Sequence, residues 1–435
     1  MRDIIITLIV FASLPFAFKR PYIGVLMWVW MSVMNPHRLS WGFAYDFPFA
    51  AIIAGVTLAG VLFTKDPKRL PFTPVVATFF ALTFWMAFGE LFALHPTTEL
   101  LMRFLKIALM TGVTLMVVKT KRQIHLLIWV LVGSLGYYGV KGGAFTVLSG
   151  GSFRVWGPEG TFIEGNNEIA LGLITVIPVF YYLFLEATKR WHRYALGAAT
   201  VLCAMAAIGS YSRGAMLGIS AMVLFLWLKS AHKAKLGLIM VLVIPAALAF
   251  MPAQWMQRMD SVKEYKSDDS AQGRINAWTM TFNLASDRPL VGGGFDIYDE
   301  STFARYAPVP TDIHAAHSLY FQVLGEHGFV GLALYLLLGL QVWRTGTRIV
   351  KSTALRPDLK WAATLATMLQ VSMIGFGTGG AFLSLLYFDV PYYLMAIMVV
   401  TGRLVEQELA ATGSKLLPAT ARPAPLVAHA ARSSS

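Results

Sequence analysis

Apolar residues in most of this chain run on continuously for the length of a bilayer crossing and then stop at short polar breaks, without strand-like alternation. Such runs, each near the ~20 residues a membrane helix needs, cover residues 4–18, 22–34, 48–63, 72–94, 100–118, 124–146, 167–186, 194–209, 214–228, 236–251, 317–342, 361–378 and 381–402. They predict an all-α polytopic membrane protein with about 12 transmembrane helices, or 13 if the first two runs form a hairpin rather than one broken helix. Only Lys19, Arg20 and Pro21 part those two runs. One stretch departs from the pattern. Residues 251–316 are amphipathic, carry six Lys or Arg and nine Asp or Glu, and predict a long, partly helical loop folded as a cap. The organisation expected is a membrane region at 1–250, the cap at 251–316, C-terminal membrane helices at 317–403 and a disordered tail at 404–435, rich in Ala, Pro and Ser. No short-period repeat is present, which argues against a solenoid.

Composition agrees with the pattern. With 56% hydrophobic and 14% charged residues and a mean hydropathy of +0.60, the chain is not a soluble globular domain. A net charge of +13 would suit nucleic acid, but the basic residues gather in alternate loops: Lys65, Lys68 and Arg69; Lys119, Lys121 and Arg122; Lys189, Arg190 and Arg193; Lys229, Lys233 and Lys235; Arg344, Arg348, Lys351, Arg356 and Lys360. The positive-inside rule makes those loops and the C-terminal tail cytoplasmic, and leaves no nucleic-acid partner to invoke. The intervening loops, including 147–166 and 251–316, are then periplasmic. Cys203 is the single cysteine, in an apolar stretch, so it reads as packing and neither an intrachain disulfide nor a thiolate cluster is available. The N-terminal MRDIIITLIVFASLPFAFKRPY has the look of a signal peptide but no small-residue cleavage site, and is read as structure.

The informative charges are those at the other membrane boundary: Arg103 and Lys106 one turn apart, Lys141, Glu90, Arg154, Arg213, Arg274 and Arg288. A charge at a helix centre costs about 2.5–3.5 kcal/mol on insertion scales, so each needs a reason. One reason is snorkelling to phospholipid headgroups. The other is an amphiphilic ligand with an anionic group at that level, which guanidinium forks match bidentately. Arg213 has added support because Ser210 and Ser212 precede a helix N-terminus, where N–H groups and the dipole favour an anion.

Four segments occur in the order found in the O-antigen ligase and polymerase family of bacterial membrane glycosyltransferases: GTFIEGNNEIA at 160–170, SRGA at 212–215, GRINAWTMTFNLASDRPLVGGGF at 273–295 and HSLYFQVLGEHGFVG at 317–331. The chain resembles that family over roughly residues 150–400, most closely its ligases, although Ser318 stands where the family often has Asn. The resemblance implies a metal-independent, cofactor-free, GT-C-like enzyme of a Gram-negative inner membrane, with its active site facing the periplasm. It implies an undecaprenyl diphosphate-linked O-antigen donor and, for a ligase, lipid A-core as acceptor. It also implies diphosphate-binding roles for Arg213 and Arg274, and an essential role for His317.

The residues fit such chemistry. A lipid diphosphate is already a good leaving group, so a base for the acceptor hydroxyl and cations for the departing charge suffice. His317, with an ordinary pKa near 6.5, is the candidate base, unless it only caps its helix. Arg154, Arg103 and Lys106 are further donor-binding candidates. His314, Glu326, Asn167, Trp278 and Arg288 are possible support, with Glu326 about 13 Å beyond His317 along a helix and therefore expected to pair internally. Trp156 and Trp278 can stack on sugars or simply pack. A metal held by Asp268 and Asp269, or by Asp296, Asp299 and Glu300, is the rival chemistry, though these segments read equally well as turns. The acceptor can instead be a second lipid-linked glycan, as in a polymerase, or a protein hydroxyl. A lipid-linked glycan transporter is the distant alternative and would place polar groups near the midplane.

Overall fold

The computed structural model describes residues 1–230, 233–260 and 269–416, which form sixteen α-helices and two short 3-10 turns, with no strand among the described residues. The helices are α1 (Arg2–Lys19), α2 (Pro21–Val33), α3 (Phe49–Phe63), α4 (Pro74–Glu90), α5 (Thr98–Val117), α6 (Lys121–Leu148), α7 (Asn166–Glu186), α8 (Arg190–Gly209), α9 (Arg213–Lys229) and α10 (Lys233–Phe250). Then come α11 (Ala253–Asp260), α12 (Asp269–Asp287), α13 (Glu300–Tyr306), α14 (Leu319–Ser352), α15 (Lys360–Gly380) and α16 (Asp389–Leu416). Every apolar run contains a helix, although the helix of run 381–402 begins only at Asp389. Helices α5, α6, α7 and α14 are long and apolar enough to cross a membrane, and α2, α3 and α4 are shorter apolar helices. The first two runs are separate helices packed on each other, broken where Pro21, which lacks an N–H, starts α2. Helix α16 runs on to Leu416, so residues 404–416, which composition assigned to a tail, continue the helix. The rest of that tail lies outside the described residues.

The connections sort to two ends. At one, Lys119 Nζ donates to the Pro67 carbonyl (2.6 Å), and Lys121 lies 3.9 Å from Glu186 and over the Trp361 ring. This end gathers loops that carry the basic clusters. At the other, Arg2 donates to the Leu39 carbonyl, the Val155 N–H to the Gly209 carbonyl, Asn166 to the Ser210 carbonyl and Arg288 to the Phe92 carbonyl. That end holds all four motif segments. Cys203 is buried against Gly139. Segment 251–316 carries α11, α12 and α13, and its residues Ala277, Met280, Leu284, Ile297, Phe303 and Tyr306 form a small core of their own.

Helix α14 is broken near its start, and the break explains two motifs. Gly328 adopts φ 69°, ψ −174°, a conformation open to glycine and strained for other residues. The break parts Phe329 N–H from its helical acceptor, the Gly325 carbonyl. Both groups find new partners in the tract before α13: Phe329 donates to the Pro289 carbonyl (2.9 Å), and Gly325 accepts from Gly293 (2.9 Å). The Glu326 carbonyl accepts from Gly294 (3.0 Å), and Trp85 of α4 donates to the His327 and Leu290 carbonyls. A Cβ on Gly292, which also has positive φ, would fall 2.5 Å from the Gly325 carbonyl oxygen, so the two backbones touch. Arg288 braces the tract through its Nε bond to Gly292 O (2.6 Å). Glu90 does so by accepting from Phe295 N–H and Thr97 N–H.

Gly328→Ala should destabilise the protein by roughly 1–3 kcal/mol from backbone strain alone, seen as a lower unfolding midpoint in detergent. Gly339→Ala, in the same helix with nothing within 4 Å of the added methyl, should be neutral or stabilising by up to about 1 kcal/mol. Equal effects of the two would refute this account of the break.

Candidate functional site

The site is built around α12 and the extended segment that returns from α13 to α14. Two side chains of α12 fasten that segment, and a third holds the end of α13. Asn276, buried, donates to the Val309 carbonyl (2.8 Å) and the Asp312 carbonyl (3.0 Å) and accepts from Val309 N–H (2.9 Å). Trp278 donates to the Ala316 carbonyl (2.6 Å), and Asn283 to the Tyr306 carbonyl (2.9 Å). Trp278 also stacks on Phe321, with ring centroids 5.0 Å apart and planes within 6°. Arg274 lies one turn before Trp278, on the same side of α12. The fastening therefore carries residues 314–317 past Arg274. His314 sits against Gly273, whose added Cβ would meet the ring at 2.9 Å, and its Nδ1 is 2.7 Å from Asp312.

His317 ends this segment at φ 43°, in the left-handed region that a residue with a side chain enters only under constraint. The constraint is visible on both sides: the Ala316 carbonyl is held by Trp278, and Ser318 begins α14. Burial holds the His317 pKa below the usual imidazole value, and the positive charges of Arg274 and His314 lower it further. The ring is thus kept neutral near pH 7, with its basic nitrogen available.

Two helix N-termini stand together beside this arrangement. Asn166, first residue of α7, donates to the Ser210 carbonyl (2.7 Å) in the turn before α9. Ser212 caps α9 by accepting from Ala215 N–H, and Tyr211 takes φ 62° to make the turn. Arg213 opens α9, half-buried. A single packing layer links it to the α12 side: a Cβ on Gly214 would meet Phe382 at 3.3 Å, and the Phe382 ring centroid is 6.5 Å from that of Trp278. The first turn of α7 also presents Glu168, whose carboxylate feels the Arg274 charge. Asn167, beside it, is half-buried.

The structure therefore brings His317, His314 and Arg274 together, with Arg213 across one layer. The remaining candidates take other places. Arg154 is exposed, with its guanidinium 5.5 Å from the Tyr211 ring centroid, and Arg103 lies 4.0 Å from the Phe162 ring centroid in the loop before α7. Lys106 and Lys141 are exposed on their helices, and Trp156 is exposed in its loop. Glu326 is buried at the break in α14, where it accepts from Gln322 (3.1 Å) and from the Tyr387 hydroxyl, which also contacts His327. Arg288 is engaged with the glycine tract. Of the acidic residues weighed for a metal, Asp299 caps α13, accepting from Ser301 N–H (2.8 Å) and Thr302 N–H (3.1 Å). Burial opposes ionisation of Asp299, yet these bonds and those from the two hydroxyls hold its pKa at about 2. Asp268 lies outside the described residues, as does the Asp269 side chain. Among the described residues no group of three or more His, Cys, Asp or Glu is placed to hold a metal ion.

Sequence reasoning missed Glu168, Asn276 and Asn283. The asparagines carried a signal: amides seven residues apart fall on one face of a helix. Glu168 follows Asn167 directly, in a helix first turn where a carboxylate is favoured.

Comparison with known families gives two matches. Residues 198–336 match the family described as O-Antigen ligase, and residues 1–189 match a family of unknown function. A search of the curated proteins finds no match. The first match spans α9, α12 and the first half of α14, which carry Arg213, Arg274 and His317 or adjoin it.

In the full chain, the His317 ring protons should titrate below the ordinary value of about 6.5, as followed by NMR. Arg274→Gln should raise that pKa, because it removes a neighbouring positive charge. A value at or above 6.5 in the unsubstituted protein, or no change on substitution, would show that burial and Arg274 do not set it.

Proposed function

We propose that this chain, a member of the O-antigen ligase family through residues 198–336, is an O-antigen ligase. On this reading it transfers a glycan from undecaprenyl diphosphate to a sugar hydroxyl of lipid A-core, without a metal, on the periplasmic face of a Gram-negative inner membrane. The observation that carries the reading is the pairing of a half-buried histidine with an arginine that acts on it electrostatically, inside the matched segment.

Neutral His317 takes the proton of the acceptor hydroxyl as the hydroxyl oxygen attacks the anomeric carbon. The bond from that carbon to the diphosphate oxygen breaks, and undecaprenyl diphosphate leaves with the electron pair. Arg274 and Arg213 neutralise the charge that develops on it, together with the N-terminal dipoles of α7 and α9. Glu168 balances Arg274 and orients it. Arg154, Arg103 and Lys106 serve the donor at the rim, where its headgroup meets the bilayer. The motif-bearing end faces the periplasm because the basic loops gather at the opposite end, which the positive-inside rule makes cytoplasmic together with the C-terminus.

His317→Ala should lower transfer by about 10²–10⁴-fold while donor binding persists; near-normal turnover would remove His317 as the base. Arg213→Ala and Arg274→Ala should each cost about 10²–10³-fold, and mild effects of both would move the diphosphate site elsewhere. Exhaustive chelation should leave activity intact; loss restored by Mg²⁺ or Mn²⁺ would overturn the metal-free step. Reconstitution with a lipid-linked glycan and, separately, lipid A-core, a second lipid-linked glycan or a pilin-like protein tests the acceptor. Product on lipid A-core is expected, and product on either of the others alone makes the chain a polymerase or a protein glycosyltransferase.

A further inference from the structure

At the basic end of the bundle, remote in the chain from the motif segments, three connections enclose a cavity of about 370 Å³. They are the α1–α2 turn, the segment between α3 and α4, and the turn between α5 and α6. Each contributes one cation: Arg20, Lys68 and Lys119. The two ammonium groups are fixed by the protein itself. Lys68 Nζ donates to the Leu62 carbonyl and Lys119 Nζ to the Pro67 carbonyl, both at 2.6 Å. An ammonium has three N–H donors, so each lysine keeps two for another acceptor. One carboxylate, Asp66, also lines the cavity, leaving a formal lining charge of 3 − 1 = +2. The wall continues in apolar side chains, Val61, Met116 and Val117.

We propose that this cavity binds the phosphate headgroup of an anionic phospholipid, with the phosphate on Arg20, Lys68 and Lys119 and the glycerol and first acyl carbons against Val61, Met116 and Val117. Three observations favour this occupant. The lining is charged on one side and apolar on the other, as an amphiphile requires. The lysines are held by backbone carbonyls, unlike cations that extend freely into a headgroup layer. The cavity lies at the end that gathers the basic loops, where basic pockets between helices suit anionic headgroups. All of its residues fall within 1–189, the part that matches the family of unknown function, so the proposal does not depend on glycan transfer.

The test uses the full chain, purified in detergent, delipidated and titrated with phosphatidylglycerol or phosphatidylcholine under native mass spectrometry. Phosphatidylglycerol should be retained in preference to phosphatidylcholine. The triple substitution Arg20→Gln, Lys68→Gln, Lys119→Gln should weaken that retention roughly a hundredfold, and Arg20→Gln alone roughly fivefold. The control triple Lys65→Gln, Arg69→Gln, Arg122→Gln removes the same charge from neighbouring exposed positions that do not line the cavity, and should leave retention unchanged. Equal losses in the two triples would reduce the effect to diffuse attraction and overturn the site. So would the absence of any preference over phosphatidylcholine. Displacement of phosphatidylglycerol by millimolar inorganic phosphate would overturn the lipid as occupant in favour of a soluble phosphate. Arg20 is exposed and its side chain is outside the core, so the single variant reads the site even if the triple fails to fold.

Discussion

A helix broken in a buried place must find partners for the backbone groups that the break releases. In this protein that requirement is met in one place, at Gly328 in α14, by the tract 289–294 laid against residues 325–329. A buried, unpaired backbone group costs about 1–3 kcal/mol, and the break re-pairs four of them. Three of the re-pairings join the start of α14 to the cap tract between α12 and α13, the fourth joins it to Trp85 of α4, and together they fix where α14 begins relative to the cap. The place of His317, two residues ahead of α14, follows from that junction.

The electrostatics follow in turn. Because α12 both carries Arg274 and clamps the returning segment through Asn276 and Trp278, the arginine and the histidine are set against each other by one rigid element. Burial, and then the proximity of Arg274, holds the imidazole pKa below its usual value. A separate contact, from Asn166 to Ser210, aligns the starts of α7 and α9 beside it. Cationic side chains and helix N-termini thus converge from α7, α9 and α12.

The helices were legible in the sequence because continuous apolar runs leave the backbone no other way to satisfy itself in lipid. Every run contains a helix, and the boundaries shift by only a few residues except at α14 and α16. The motif segments were legible as a set, and Glu326 was expected to pair internally as it does, but the contacts of Arg288 and Trp278 were not legible. Arg288, Trp278, Glu326 and the three glycines at 292–294 sit in the same motifs as Arg274 and His317, yet their contacts are architectural: they brace, clamp or abut a neighbouring backbone. Nothing in the local sequence names these partners, because they are distant in the chain; Arg288 meets Phe92, and Glu326 meets Tyr387. Glu168 was overlooked for the same reason, since only the fold brings Arg274 to it.

The clasp at the α14 break is made mainly of main-chain groups: every residue carries a C=O, Pro289 included, and every residue except proline an N–H. Side chains on the outer face of the cap between 295 and 316 take no part in it. The approach of His317 to α14 therefore depends on main-chain bonds and on glycine at 328, and substitution of an exposed side chain elsewhere in 295–316 leaves the hydrogen bonds of that junction in place.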